Sequence, residues 1–298
     1  MNDEDRKLFF EVEKKANQLR MDTLKMCIRA ETGHVTSSMS CADILSSLYY
    51  GGILNHDPRN PDWEDRDIFV LSKGQASPIL YAVLGDRGFY PMSWLDKFAK
   101  GVDGTGRDAP FGVHLQCTVP GVEFTTGSLG HGLGYAAGVA DAARADGKKH
   151  RTFVLLGDAE LYEGSNWEAA LYASHNKLSN LLAIVDRNGM GVNGKTEEIE
   201  RLEPLEKKFE NFGWRTYRIN GHNVASLFEA YRHNVDSVNA GTNTPAVIIA
   251  DTIKGRGIKS MTSRLFIHGV APKGLEADLA VRELEELSRV HIEHGGYS

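Results

Sequence analysis

What this 298-residue sequence lacks excludes several classes of protein. No apolar run approaches the roughly 20 residues that cross a bilayer, so we expect no contact with a membrane. Basic residues do not cluster: the densest patch, at 148–151, reads as a solvated loop before a strand. Because the net charge is also −6, the composition argues against a nucleic-acid partner.

Cysteine is scarce as well. Cys27, Cys41 and Cys117 are odd in number, widely spaced and form no Cys-x-x-Cys pair, a pattern typical of a reducing compartment. Cys27 and Cys41 lie in apolar, helical patterns and are expected to be buried thiols. The first 13 residues are strongly charged, which argues against a secretory signal. We therefore expect a cytoplasmic protein.

The remaining composition is that of an ordinary globular protein. Hydrophobic residues make up 41% and charged residues 25%, and the length suits one large α/β domain or two small ones. No linker, repeat or low-complexity segment divides the chain. We expect one domain over residues 1–298, with an N-terminal helical segment at 1–60 and a C-terminal helical tail at 275–298.

Strands alternate with helices along the chain. Short runs that are apolar throughout, or in which apolar and polar residues alternate, are bounded by turn-forming residues. They predict strands at residues 68–71, 153–156, 181–185, 215–219 and 246–250. Helical spacing of apolar residues predicts helices at 5–30, 40–50, 76–84, 167–177 and 224–238, with a further helix ending near 209–213. This alternation, with strands that are buried on both sides, predicts an α/β fold in which helices cover both faces of a parallel sheet.

Ligands of such sheets bind at the carboxyl ends of the strands. Asp158 follows one predicted strand, and Asn188 follows the next strand 30 positions later. One helix and one return strand fill this interval, so both loops should emerge side by side. A carboxylate, an amide oxygen and a free loop carbonyl at one point would suit Mg²⁺ or Ca²⁺. Taken singly, the two residues could equally be a helix cap and a turn residue.

The residues around this pair carry a family resemblance. Gly157-Asp158-Ala159, followed by Asn188, resembles the thiamine-diphosphate fingerprint, normally Gly-Asp-Gly and then Asn about one βαβ unit later. Ala159 departs from that pattern but keeps a small side chain, so backbone N–H groups could still approach a phosphate. Four further segments resemble transketolases, in the order that the family has them: 33–44, 65–74, 120–132 and 251–269.

The resemblance covers roughly residues 17–272, and the Pro-Gly-Val-Glu run at 120–123 makes it specific to transketolases and their close relatives. It implies the thiamine diphosphate-binding fold, in the form of the domain that holds the diphosphate. The implied cofactors are thiamine diphosphate and Mg²⁺ or Ca²⁺. The implied metal ligands are Asp158, Asn188 and the carbonyl of Met190.

The resemblance also implies roles for other residues. The implied cofactor contacts are Gln75, Gly127, Ser128, Leu129, Gly157, Asp158, Ala159, Glu160, Asn188, Val192, Ile253 and His268. His34, His114 and His268 resemble histidines that line the substrate channel, although a lone histidine is by default a surface or capped residue. Glu163 resembles a carboxylate at a subunit interface, between two cofactors; otherwise it would be an ordinary glutamate at a helix N-terminus. Gln75 stands where the family usually has a histidine that touches the diphosphate.

A second domain is expected elsewhere. Thiamine enzymes of this group bind the aminopyrimidine in another α/β domain, which supplies the glutamate that activates the cofactor. Only 30 residues follow His268, so that domain belongs to a separate polypeptide or to a longer form of this chain. We expect a split transketolase that moves a two-carbon ketol unit between sugars or sugar phosphates. Its partner would be a C-terminal, pyrimidine-binding subunit, and a homodimer contact would build a heterotetramer.

Three alternatives stay open at this point. A subunit of a deoxyxylulose-phosphate synthase-like enzyme would share this domain. A non-catalytic module that binds thiamine diphosphate would explain the departures at Gln75 and Ala159. A nicotinamide-binding Rossmann enzyme is the alternative at the level of fold, but no strand clearly precedes the glycine-rich run at 127–134.

Overall fold

A computed structural model describes residues 2–100, 111–264 and 267–296, and a five-stranded sheet lies at its centre. The strands are β1 (Ile68–Leu71), β2 (Thr152–Gly157), β3 (Leu181–Arg187), β4 (Arg215–Asn220) and β5 (Ala246–Asp251). Their order across the sheet is β1-β2-β3-β5-β4, and every neighbouring pair is parallel. The predicted parallel α/β class is therefore confirmed.

Helices cover both faces of this sheet. They are α1 (Asp3–Ala30), α2 (Val35–Ser40), α3 (Ala42–Tyr50), α4 (Ser77–Arg87), α5 (Gly132–Ala145), α6 (Gly164–His175), α7 (Thr196–Ile199), α8 (Leu205–Asn211), α9 (Val224–Asn239) and α10 (Leu275–His294). Alternate residues of a strand point to opposite faces. Leu155 of β2 packs in a core with α1, α3, α4, α9 and α10, whereas Leu156 packs in a second core with α5, α6 and α8. Both faces of the sheet are thereby buried.

Three helices, α2, α5 and the four-residue α7, were not predicted from the sequence. Helix α5 contains Gly132, Gly134 and Gly138, which weaken a helical pattern because glycine is a poor helix former. Gly132 is required by packing, since a Cβ there would overlap Ser72. Helix α2 is a short element that ends at Ser40.

The predicted start of the next helix at Ser40 is wrong. Helix α3 begins at Ala42, and the Ser40 hydroxyl donates to Asp186 of β3 at 2.6 Å instead of capping a helix. Cys27 and Cys41 are buried, as expected. Among the described residues, no helix combines the length and the apolar character needed to cross a membrane. The single-domain boundaries, with a helical segment at 1–60 and a tail at 275–298, stay a prediction.

A buried charge cluster joins the N-terminal helices to the sheet. Arg20 of α1 donates to the Asp43 carboxylate of α3 at 2.5 and 3.1 Å, and also to the Met39 carbonyl. His222 Nδ1 lies 2.7 Å from Asp43, and its Nε2 accepts the Ile253 N–H at 2.8 Å. Burial by itself would raise the pKa of Asp43, but Arg20 and His222 outweigh it and hold that pKa well below its usual range.

We predict that Asp43→Ala lowers the free energy of unfolding by about 3–5 kcal/mol, because it leaves the Arg20 guanidinium buried without its counter-ion. Urea unfolding of the purified chain measures this loss. The matched control is Asp96→Ala, which breaks an ion pair to Arg29 in which both side chains are about half exposed. That control should lose no more than about 1 kcal/mol. Equal losses in the two variants would contradict the assignment.

Candidate active site

The carboxyl ends of β2 and β3 lie side by side, as the sequence predicted. Gly157 pairs with Asp186 at the end of the register, and Asp158 and Asn188 follow directly. Both of these residues line one cleft of about 110 Å³ at this edge of the sheet. Parallel pairing therefore brings the carboxylate and the amide together across 30 positions of sequence.

Most of the predicted site residues line this cleft. The ten are Gln75, Leu129, Gly157, Asp158, Ala159, Glu160, Asn188, Met190, Val192 and His268. Four more lining residues were not predicted: Ser37, Lys73, Gly191 and Lys254. The roles that the resemblance implies for these residues stay predictions, whereas their proximity is a property of the fold.

Asp158 is almost fully buried, with 1% of its surface exposed. One carboxylate oxygen accepts the Ala159 N–H at 2.8 Å, and the other accepts the Gly189 N–H at 2.6 Å and Arg187 Nη1 at 3.0 Å. Burial, followed by the negative charge of Asp186, nevertheless raises the pKa of Asp158. A further cation at this carboxylate would offset that effect, which fits the predicted metal.

The Met190 carbonyl already contacts a lysine, and its role as a metal ligand stays a prediction. Lys254 Nζ lies 3.3 Å from it and 3.1 Å from the Gly191 carbonyl. A positive charge thus already lies against the oxygen that was predicted to hold a metal. Burial lowers the pKa of Lys254, and the charge of Asp158 offsets part of this effect. The carbonyl therefore lies in surroundings that accept a cation.

In the described parts of the chain, no group of three or more His, Cys, Asp and Glu side chains could hold a metal ion. A metal at this edge would depend on one carboxylate, one amide and one carbonyl. Asn188 Oδ1 accepts the Met190 N–H at 3.1 Å, and Asn188 Nδ2 donates weakly to Asp186. The side-chain oxygen of Asn188 therefore contacts the loop after β3, to which Asn188 itself belongs. A ligand set made only of oxygen atoms suits Mg²⁺ or Ca²⁺ better than it suits softer metal ions.

Lys73 and Asp186 form an ion pair in the floor of the cleft that the sequence did not reveal. Lys73 Nζ contacts the Asp186 carboxylate and donates to the Ser37 carbonyl at 2.9 Å. Burial alone would lower the pKa of Lys73, but Asp186 reverses this effect and raises it. Burial would likewise raise the pKa of Asp186, and Lys73 lowers it instead. Both groups are therefore charged.

Glu160 orders the walls of the cleft. One carboxylate oxygen accepts from the Ser72 hydroxyl and from the Gly130 N–H at 3.0 Å, and the other accepts the Gly157 N–H at 2.9 Å. It thereby joins the loops that follow β1 and β2 to the turn before α5. Because both oxygens already serve donors of the chain, Glu160 is better suited to position these loops than to contact a ligand with its charge.

Three predicted histidines gather beside the cleft. The ring centroid of His34 lies 4.7 Å from that of His268 and 5.3 Å from that of His114. Nδ1 of both His34 and His268 is buried and has no hydrogen-bond partner among the described residues. Burial, then neighbouring positive charge, lowers the pKa of His34 to about 3 and that of His268 to about 4. Both rings are therefore neutral near pH 7.

Gln75 and Gly127 meet at the same wall. Gln75 Nε2 donates to the Gly127 carbonyl at 2.9 Å, while its Oε1 is buried and accepts from no residue that the structure describes. Gly127 has φ of 144°, and a Cβ there would lie 3.0 Å from His114, so this position requires glycine. Several buried polar atoms around this cleft thus have no hydrogen-bond partner among the described residues. A polar ligand bound in the cleft would supply such partners.

Three further predicted residues lie outside the cleft lining. Ser128 is exposed. Glu163 is exposed and precedes α6, with no capping hydrogen bond from its side chain. Ile253 is 37% exposed, and its N–H donates to His222. The predicted interface position of Glu163 and the predicted cofactor contacts of Ser128 and Ile253 stay predictions.

Comparison with known proteins agrees with this geometry. Residues 12–285 match the family model described as the transketolase thiamine diphosphate binding domain. The chain belongs to this family. It is 36% identical to a 6-deoxy-6-sulfo-D-fructose transketolase subunit of Clostridium sp. (strain MSTE9), over 93% of this chain and 97% of that one. It is 38% identical to an apulose-4-phosphate transketolase subunit of Actinobacillus succinogenes, over 93% and 96% of the two chains.

Longer relatives match in part. Transketolase of Homo sapiens is 37% identical over 91% of this chain but only 41% of its own length. Among solved structures, transketolase from Leishmania mexicana superimposes with a TM-score of 0.80 at 27% identity, over 95% of this chain and 45% of that one. The sequence-based prediction of a transketolase-family subunit is confirmed, and so is thiamine diphosphate as the cofactor of the family's domain.

We predict that the imidazoles of His34 and His268 stay neutral from pH 8 down to about pH 5, since protonation would place a buried charge beside Lys254. Long-range ¹H–¹⁵N NMR spectra, assigned with His34→Gln and His268→Gln, measure this directly. The unfolded chain takes up these protons near pH ~6.5, so the stabilising effect is complete above that pH and is lost as the pH falls toward 4. Titration of either ring near its ordinary value would contradict the prediction.

Proposed function

We propose that this chain is the diphosphate-binding subunit of a two-subunit, Mg²⁺-dependent transketolase of the cytoplasm. With a companion subunit it transfers a two-carbon ketol unit from a ketose, or its phosphate, to an aldose, or its phosphate. The observation that carries this proposal is the cleft itself, where Asp158, Asn188 and the Met190 carbonyl share the carboxyl edge of β2 and β3. Relatives named as transketolase subunits match over nearly their full length, which supports it.

In this proposal Asp158, Asn188 and the Met190 carbonyl hold the metal, and Gly157 and Ala159 bring the backbone close to the diphosphate. Thiamine diphosphate, when bound, supplies the carbon centre that carries the ketol unit. Lys254 adds a positive charge at the same wall, where it offsets part of the negative charge of the diphosphate. The further cofactor contacts that we propose are Gln75, Gly127, Ser128, Leu129, Val192, Ile253 and His268.

The histidines supply proton handling and substrate recognition. A neutral imidazole can donate from one nitrogen and accept at the other, so it can hydrogen-bond a sugar hydroxyl and take or return its proton. In the part of the chain that the structure describes, Nδ1 of His34 and of His268 has no partner, and His114 completes the group beside the cleft. The neutral state of His34 and His268 keeps one nitrogen of each of these two rings available as a hydrogen-bond acceptor.

Apolar surface next to the cleft supports a partner. Val192 is 54% and Ile253 37% exposed, although both follow strands that end at the cleft edge. A companion subunit that binds the pyrimidine would cover them and exclude water from the reacting atoms. Closed two-fold symmetry then favours a heterotetramer in which Glu163 lies at the homodimer contact.

We predict that Asp158→Ala weakens Mg²⁺-dependent binding of thiamine diphosphate at least tenfold to a hundredfold, because it removes the only carboxylate of the proposed metal set. Isothermal calorimetry with the companion subunit present, with and without EDTA, provides the measurement. Asp146→Ala, which changes an exposed carboxylate after α5, is the matched control and should bind normally. Unchanged affinity in Asp158→Ala would remove the metal assignment.

We also predict that the purified chain alone shows no ketol transfer, and that the companion subunit restores it. Without a carboxylate aimed at the aminopyrimidine, general acid–base assistance worth roughly 10²–10⁴ in rate is missing. A coupled assay with hydroxypyruvate and a ketose phosphate as donors reports the activity, and Asp158→Ala plus companion serves as the inactive control. Sustained turnover by the chain alone would refute the two-subunit proposal.

A further inference from the structure

One cation of the chain already lies against the proposed metal ligands. Lys254 Nζ is 3.3 Å from the Met190 carbonyl oxygen and 3.1 Å from the Gly191 carbonyl oxygen, and the residue is only 5% exposed. Burial lowers the pKa of Lys254, and the nearby charge of Asp158 acts against this effect. The ammonium group therefore offsets part of the negative charge and fills part of the oxygen set that we propose for the metal.

The backbone of this segment is held on both sides of Lys254. The Ile253 N–H donates to His222 Nε2 at 2.8 Å, and the Gly255 N–H donates to the Thr36 carbonyl at 3.0 Å. The lysine side chain reaches from this fixed backbone to the loop after β3, where its ammonium group meets the two carbonyls. Because a lysine carries its charge on a flexible four-carbon stem, the ammonium group can leave these carbonyls while the backbone stays in place.

A metal ion and this ammonium group would compete for the same surroundings. Mg²⁺ and Ca²⁺ bind oxygen ligands at about 2.0–2.6 Å. A metal on the Met190 carbonyl would then lie within about 6 Å of Lys254 Nζ, if the lysine kept its present position. Like charges at such a distance repel strongly in a buried site, where water screens them little. Lys254 therefore opposes a metal ion that arrives without an anion.

An anion in the cleft would remove this conflict. Its oxygen atoms offer the ammonium group of Lys254 a charged acceptor in place of two neutral carbonyls, and charge-assisted hydrogen bonds are the stronger kind. With the lysine on the anion, the Met190 carbonyl becomes available to the metal. Each ligand thus favours the binding of the other, and thermodynamic linkage makes this effect reciprocal.

We propose that Lys254 acts as an internal cation that opposes the metal alone and moves to the anion when a diphosphate binds, so that the site takes up metal and diphosphate together. This inference rests on the proposed function, because it uses the metal set of Asp158, Asn188 and Met190. Lys254 is then a positioning residue whose charge weakens one binding step and strengthens the other. A lysine that served only the fold would not act on the two steps in opposite directions.

Binding of Mn²⁺ alone to the full chain, followed by the electron paramagnetic resonance signal of the free ion, tests this proposal without any turnover. Lys254→Met keeps the length of the side chain and removes its charge. It should bind Mn²⁺ about tenfold more tightly than the unaltered chain, because the opposing charge is gone. In saturating Mg²⁺ it should bind inorganic diphosphate about tenfold more weakly by calorimetry, because a charge-assisted hydrogen bond is lost.

Three further variants separate the charge of Lys254 from its packing. Lys254→Gln can still donate to the two carbonyls but is neutral, so it should repeat the gain in Mn²⁺ affinity even if Lys254→Met does not fold. Lys254→Arg keeps the charge and should keep the weak binding of Mn²⁺. Lys195→Met, which removes an exposed lysine paired with Glu198 at 3.1 Å, is the matched control and should change neither affinity.

Asp158→Ala, added to Lys254→Gln, should abolish the gained Mn²⁺ affinity. The inference is overturned if the neutral variants bind Mn²⁺ no more tightly than the unaltered chain while Asp158→Ala weakens that binding, since the metal site would then exist without an opposing lysine. An equal gain in Lys254→Arg or in Lys195→Met overturns it as well. If Asp158→Ala leaves Mn²⁺ binding unchanged in every background, the proposed metal site itself fails, and the inference fails with it.

Discussion

The buried ion pair between Lys73 and Asp186 determines the shape of the cleft. Isolated charges in a protein interior cost several kcal/mol each, so neither group could lie there without the other. Asp186 also accepts hydrogen bonds from Ser40 at 2.6 Å and from Thr252, and it contacts the Asn188 amide at 3.3 Å. Helix α2 and the loops after β1, β3 and β5 are thereby drawn to one carboxylate. Loss of the pair would disperse the elements that form the site.

Ion pairs also determine which charged side chains of the cleft remain available to a ligand. Lys73 is paired with Asp186, and Arg187 is shared among three carboxylates, those of Glu197 at 2.8 Å, Asp158 at 3.0 Å and Glu203 at 3.2 Å. Lys254, in contrast, donates to two backbone carbonyls, and no salt bridge to another described residue cancels its charge. Lys254 is therefore a cation of the cleft wall that no described carboxylate pairs with directly, and in low-dielectric surroundings it would attract an anion more strongly than it would in water.

The sequence predicted those features that follow from local periodicity. Apolar runs marked the strands, and the parallel-sheet rule then brought Asp158 and Asn188 together. The Lys73–Asp186 pair could not be found this way, because its members are 113 positions apart and no local pattern links them. The apolar run alone places Asp186 in a loop, since a charged residue rarely continues a buried strand, yet β3 runs to Arg187. Lys254 lies in a segment already matched to the family, and its place after β5 could have identified it.

Gln75 shows how hydrogen bonding and charge are divided in this cleft. A diphosphate offers only acceptor oxygens at neutral pH, so Gln75 can contact it only through Nε2, which now donates to Gly127. Its Oε1 has no donor within the described ranges of the chain, so a hydroxyl group of a substrate could supply one. Because an amide does not titrate, and because His34 and His268 have depressed pKa values, directional hydrogen bonds here come from groups that are neutral near pH 7. Charge is supplied separately, by buried ion pairs and lysine, so in the proposed function substrate hydroxyls and the diphosphate would be recognised by different sets of side chains.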